Sequence, residues 1–200
     1  MTATHGEGVY GNAAGVTTPL DHKMAQVTEF VKTAANTIRP GVLWDGNTTL
    51  VSGKANMSYD VRALSVVLTR GATAGAVKLT NDAVYNVVTT AAPGSNSRYD
   101  VVYIWQREYS LDGTNSDPVI GVVQGTAAAS PTVPSLAAFP GALELARILV
   151  PSGVTATAAR APPTTPRCTP PCSVRALPAR APRTCTTAPA GITASTRCRR

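Results

Sequence analysis

The side chains of this 200-residue chain that could do acid–base, nucleophilic or metal chemistry are two histidines, four cysteines and a scatter of carboxylates. His5 lies in a Gly-, Ala- and Thr-rich opening segment, and His22 falls in the first turn of an expected helix. Neither has a Cys, Asp or Glu at a ligand spacing that recurs elsewhere, so no metal site is expected. Cys168, Cys172, Cys185 and Cys198 are spaced C-x3-C, x12, C-x12-C. That pattern lacks the paired C-x2-C knuckles of a zinc ribbon and has no His nearby. The cysteines read as incidental, and disulfides form only if the chain meets an oxidising compartment. A cysteine nucleophile would have to sit in the foldable part, which has none. Neither G-x-S-x-G nor H-E-x-x-H occurs. No catalytic residue and no cofactor is expected, and the chain is read as a non-enzyme.

Three smaller clusters carry weaker signals. Asp112, Asn115 and Asp117 put three oxygen side chains in one loop, without the downstream Glu or the spacing of an EF-hand. A turn sealed by side chain–backbone hydrogen bonds is expected there. Asp100 and Glu108 are a formal pair of glycosidase carboxylates, but they fall at opposite ends of one expected strand. Arg98 and Asp100 are two apart on that strand and share a face, which suits a local ion pair or a turn anchor. Gly6, Gly8 and Gly11 match G-x-G-x-x-G literally, yet only five residues precede Gly6, leaving no room for the strand that a dinucleotide site requires.

The charge is unevenly placed. The whole chain carries +7, a balance that by itself points to nucleic acid. Residues 1–159 sum to −1, whereas residues 160–200 hold eight Arg and no acid. The near-neutral part lacks the electrostatic footprint of a nucleic-acid binder, so no nucleic-acid partner is expected. No run approaches the ~18 apolar residues of a membrane span, so no membrane insertion is expected. The first residues lack a basic segment followed by an apolar run, which disfavours a secretory signal.

The tail is compositionally foreign to the rest. Of residues 160–200, all but Val174, Leu177 and Ile192 are Ala, Pro, Thr, Ser, Arg, Gly or Cys. Three large apolar residues cannot offset the ordering entropy, and disorder is expected. Almost all codons for that alphabet have G or C in the middle. A one-nucleotide shift in a GC-rich gene produces this bias, so out-of-frame translation beginning between Thr155 and Arg160 is one reading. A genuine basic arm for an acidic partner is the other.

The elements that would position any site are mostly strands. Residues 1–17 read as a flexible arm. Residues 18–39 read as a helix, with Thr18 as N-cap, Pro19 in the first turn and Asp21 at the third position. Along it Leu20, Met24, Val27, Val31, Ala34 and Ile38 follow a 4-3-4-3-4 spacing, a heptad-type seam suited either to self-association or to packing on its own domain. From Gly41 onward the period becomes two. Short strands are expected at 41–44, 48–51, 57–63, 64–69, 76–79, 84–89, 99–106 and 119–124. Residues 143–150 fit helix or strand, and an apolar-face switch near Ala63–Ser65 suggests a bulge or a doubly buried strand. The fold class expected is mainly β: an N-terminal helix, then an antiparallel sandwich or barrel of about seven strands over 40–153, then a disordered tail over 154–200.

The order of several short motifs is similar to that in one family. They are Arg39–Leu43, Met57–Arg62, Ser97–Val102, Val119–Thr126, Pro131–Pro134 and Leu145–Pro151. The most telling are R-x-D-x-V at Arg98 and Asp100, a strand ending in Gly125-Thr126, a Pro-rich link, and L-A-x-I-x-V-P closing at Pro151. Over about 115 residues the chain resembles the N-terminal domain of bacteriophage tail-fibre or receptor-binding minor tail proteins, of the type found in actinobacterial phages. The resemblance implies a virion tail component made in the host cytoplasm, homo-oligomeric and typically trimeric, that contacts other tail proteins. The alternative is a carbohydrate-binding or glycan-cleaving tail spike that acts in host adsorption, with a host cell-surface glycan as partner. The family continues into a fibre shaft or receptor domain where this chain has its Arg/Pro tail, so attachment or assembly is the expected role.

Overall fold

A computed structural model of the chain describes Thr4–Gly6, 18–113 and 115–158. The C-terminal tail, all four cysteines and most of the N-terminal arm lie outside the described residues.

Helix α1 (Pro19–Gln26) starts where its sequence signals place it. The Thr18 hydroxyl accepts from the Asp21 amide while the Asp21 carboxylate accepts from the Thr18 amide, satisfying two otherwise open groups of the first turn. The helix does not reach residue 38. It tightens into one 3-10 turn (Val27–Glu29), and the chain then forms a hairpin of β2 (Lys32–Ala34) and β3 (Thr37–Ile38). Asn36 takes a left-handed φ of 55° in the turn, a conformation that Asn tolerates better than most residues. Burial explains the change. Val27 and Ile38 both pack with Val67 and Ala76 in one small core. A straight helix would hold residues 27 and 38 about 16 Å apart. The fold-back brings both to the same sheet face.

Antiparallel sheets make up the rest. One sheet has the order β1 (Thr4–Gly6), β8 (Val77–Asn81), β7 (Leu64–Leu68), β4 (Gly41–Val42). A second has β5 (Val51–Gly53), β6 (Ser58–Val61), β9 (Tyr85–Val88). A third has β11 (Pro118–Gln124), β10 (Arg98–Gln106), β12 (Leu143–Val150). Residues 143–150 are therefore strand, and residues 4–6, assigned to a flexible arm by composition, are an edge strand. Among the described residues every strand pairing is antiparallel.

The face switch near Ala63 is a corner rather than a bulge, and the strand beyond it is buried on both faces, Val66 and Leu68 in the main core and Val67 in the small core beside Val27. Arg62 and Ala63 separate β6 from β7, which pair in different sheets. The Asn81 amide donates to the Arg62 carbonyl at 2.9 Å, satisfying a backbone acceptor at the corner.

The main core draws on all three sheets, with Tyr59, Leu79, Ile104 and Leu145 among its fully buried members. Each large aliphatic side chain buried this way contributes roughly 1.5–3 kcal/mol. Strand β10 is buried on both faces. Val102 and Ile104 face the core, while Tyr103 and Trp105 meet Phe139 from the following Pro-rich connection, with ring centroids 4.6 and 5.3 Å apart.

The β domain also runs past residue 153. The Thr157 hydroxyl accepts from the Lys54 amide at 2.7 Å and donates to the Ser58 carbonyl. Residues 154–158 thus belong with the β domain rather than with the tail, because their backbone is hydrogen-bonded to the β5–β6 hairpin.

Candidate functional site

The motif residues Arg98 and Asp100 form the centre of a buried polar clamp. Asp100 is 0% exposed on the core side of β10. One carboxylate oxygen accepts from Arg98 Nε at 2.8 Å. The other accepts from the Tyr59 hydroxyl at 2.9 Å and the Thr89 hydroxyl at 2.6 Å. Arg98 directs further donors to the carbonyls of Ala91 and Thr90, at 2.9 and 2.8 Å, and to the Thr89 hydroxyl at 3.3 Å. Gln124 of β11 donates to the Thr89 hydroxyl at 3.0 Å. The clamp therefore ties β6, the end of β9, β10 and β11 together. Burial pushes the Tyr59 phenol far above its usual range, and the neighbouring Asp100 charge adds to the rise. Tyr59 stays a donor at every ordinary pH, which is the state the carboxylate needs.

Gly125 and the Pro-rich link are brought together as well. The Gly125 amide donates to the Tyr99 carbonyl at 2.6 Å, and a side chain there would press on the Thr132 carbonyl and the Pro134 ring. A Cβ at this position would push the link away from the end of β11 by a few tenths of an ångström. Pro151 follows β12, and two residues on the Gly153 amide donates to the Pro93 carbonyl at 3.0 Å.

A second charged cluster joins α1 to the far end of β10. Lys23 meets Glu108 at 2.5 Å. Arg70 grips both oxygens of Asp112, at 2.8 and 2.6 Å, and also donates to the Gln106 carbonyl. The Arg70 hydrogen bonds are the main reason the Asp112 carboxyl falls to about 2. The Arg70 and Arg107 guanidinium groups lie 5.5 and 5.7 Å from the Trp105 ring centroid. Gly75 turns with φ 70° against the Lys23 backbone, where a Cβ would overlap it. The Asp112–Asp117 loop is thus a structural turn: Asp112 serves Arg70, and Asn115 accepts from the Asp117 amide at 3.4 Å.

Asp100 and Glu108 belong to these two separate networks, about 26 Å apart along an extended strand. Among the described residues, no three His, Cys, Asp or Glu cluster in a way that could hold a metal ion. Nor is any described helix long and apolar enough to cross a membrane.

The proposed helical seam is not one surface. Val27 and Ile38 are buried in the chain's own core, Met24 is half-buried, and Leu20 on α1, Val31 in the link before β2 and Ala34 on β2 are exposed. A six-residue stripe for a partner therefore does not exist, because the hairpin turns Ile38 inward.

Composition also left one feature unremarked. A cleft of about 350 Å3 lies between the loop after β4 and the adjoining ends of β7 and β8, with Trp44 and Asn81 among its lining residues. Trp44 follows an extended pair of residues and precedes the Asp45-Gly46-Asn47 turn, and only that position hinted that it would face outward. No protein-family model matches this chain, and no curated protein or solved structure matches it.

Proposed function

We propose that residues 18–158 form a structural attachment domain of a bacteriophage tail tip, with the strands closed into a β-sandwich, acting through assembly rather than catalysis. The observation that carries this reading is the fate of the motif residues. Arg98 and Asp100 spend their charges on joining strands, and Gly125 seats the Pro-rich link. A motif whose residues all go into scaffold suits a domain that holds neighbours in fixed geometry. A core shared by all three sheets supports the sandwich. In this reading the chain is a trimer in the virion tail and docks on other tail proteins.

Light scattering on the full chain tests the oligomer: a mass near three times 20.6 kDa is expected. Antibody labelling of particles from the phage or prophage that carries the gene tests the location, with label expected at the tail tip. A monomer at every concentration, or particles without label at the tail, overturns the proposal.

A further inference from the structure

Trp44 and Asp45 are consecutive residues on the rim of one open cleft. Trp44 is 65% exposed, although an indole is among the side chains that gain most from being covered. Asp45 is paired with Arg62, yet 45% of its side chain stays exposed, so its carboxylate can accept from a second guanidinium. Asp82 adds another carboxylate to the lining, and Leu43, Ala63 and Leu64 add an apolar wall. The lining contains no Lys or Arg among the described residues. The occupant that fits is a segment with both apolar rings and a cation. A ring covers the indole, and a guanidinium meets the carboxylate.

Such a segment lies in the chain itself. Residues 160–200 hold eight Arg, eight Pro and no acid. Their first stretch with both, Pro162-Pro163-Thr164-Thr165-Pro166-Arg167, has the P-x-x-P spacing of a polyproline helix that lies on an aromatic surface. Reach selects the same stretch. The Thr157 hydroxyl donates to the Ser58 carbonyl, and β6 leads from Ser58 toward Ala63 on the cleft, at most about 17 Å away. From Thr157 to Pro163 a polyproline chain covers about 19 Å. Arg160 comes three residues after Thr157 and reaches only about half as far. We propose that Pro162–Arg167 docks on this cleft of the same chain, a proline ring covering the Trp44 indole and the Arg167 guanidinium pairing with Asp45. Residues 160–200 act here as a native basic arm, independently of any assembly into a phage tail.

The two tryptophans make the test direct. Trp105 is 8% exposed, so acrylamide quenching of the intrinsic fluorescence of the full chain reports mainly Trp44. At a millimolar effective concentration, even a millimolar contact covers Trp44 in about half of the molecules. Arg167→Glu, and separately the triple change Pro162→Gly, Pro163→Gly and Pro166→Gly, should each raise the quenching constant at least about 1.5-fold. Neither variant touches the core, so the unfolding midpoint should stay where it is. Salt at about 1 M should raise quenching of the parent chain too, because it screens the pair between Arg167 and Asp45. Trp44→Phe leaves Trp105 as the sole indole and should abolish every one of these differences. The parent value should not vary with protein concentration, since the contact lies within one chain. Parent-like quenching in both tail variants overturns the docking, and so does a difference that survives Trp44→Phe. Shielding that grows with protein concentration overturns it as well, because the occupant would then be the tail of another copy.

Discussion

The Tyr59 hydroxyl on β6 donates to the Asp100 carboxylate on β10 at 2.9 Å, a buried bond between residues 41 apart in sequence and in different sheets. It is one of three side-chain bonds to that carboxylate, and Arg98 is the sole positive partner among them. Removing the carboxylate strands a buried guanidinium. Asp100→Ala is therefore expected to cost about 3–5 kcal/mol, and Tyr59→Phe, which removes one bond to a charged group, about 1.5–3 kcal/mol. Urea denaturation of the two variants checks both values. Equal costs would mean that the clamp does not centre on Asp100.

The folded-back hairpin separates residues that a coiled-coil seam would treat alike. Ile38→Ala should destabilise by about 2–5 kcal/mol, because it opens a void beside Val27 and Val67. Leu20→Ala, at a position 48% exposed, should change stability by less than about 0.5 kcal/mol. Light scattering on the same two proteins reads the oligomer separately. An Ile38→Ala protein of native stability that loses its oligomeric state would restore the seam.

Thr157 works as a latch. Thr157→Val deprives the Lys54 amide of a side-chain acceptor and should cost about 1–2 kcal/mol in thermal or chemical unfolding. Gly53→Ala attacks the same contact from the other side, since the new methyl would collide with the Thr157 carbonyl. Its cost is expected at about 1–3 kcal/mol. The two changes share one contact, so the double variant should fall short of the sum.

The Arg70–Asp112 pair sets an acid limit. Asp112 titrates near 2 in the folded chain, below the ordinary Asp range. Its folded pKa is depressed, so its contribution is fully present above about 4 and is lost as pH falls toward 2. Asp21, lowered by its hydrogen bonds to Thr18, adds in the same direction. Unfolding midpoints measured from pH 5 to pH 2 should fall less steeply in Asp112→Asn than in the parent chain. Parallel profiles would remove Asp112 from the account.

Much of this chain was legible residue by residue. The alternation from Tyr99 to Gln106 marks β10 because a pleated strand sends neighbours to opposite faces, a rule that acts within a few residues. Thr18, Pro19 and Asp21 placed the start of α1 for the same reason: capping is local chemistry. The charge split between residues 1–159 and 160–200 likewise needs no structure to be seen.

Other features depend on what lies opposite. Leu20 to Ile38 fits a helical repeat, yet the helix ends at Gln26, since burying Val27 and Ile38 together outweighs continued helical spacing. Nothing local in Arg62-Ala63 says that β6 and β7 will leave for different sheets. Nor does any spacing say that Asp100 will find Tyr59 and Thr89, or that Trp44 will stay in the open beside Asn81. By itself the sequence determined the start of α1, the clearest strands and the place where the composition changes. Tertiary structure alone decided which strands pair, which polar groups share a carboxylate and which aromatic side chain is left uncovered. Those outcomes turn on burial and long-range contact, and both exist only once distant segments have met.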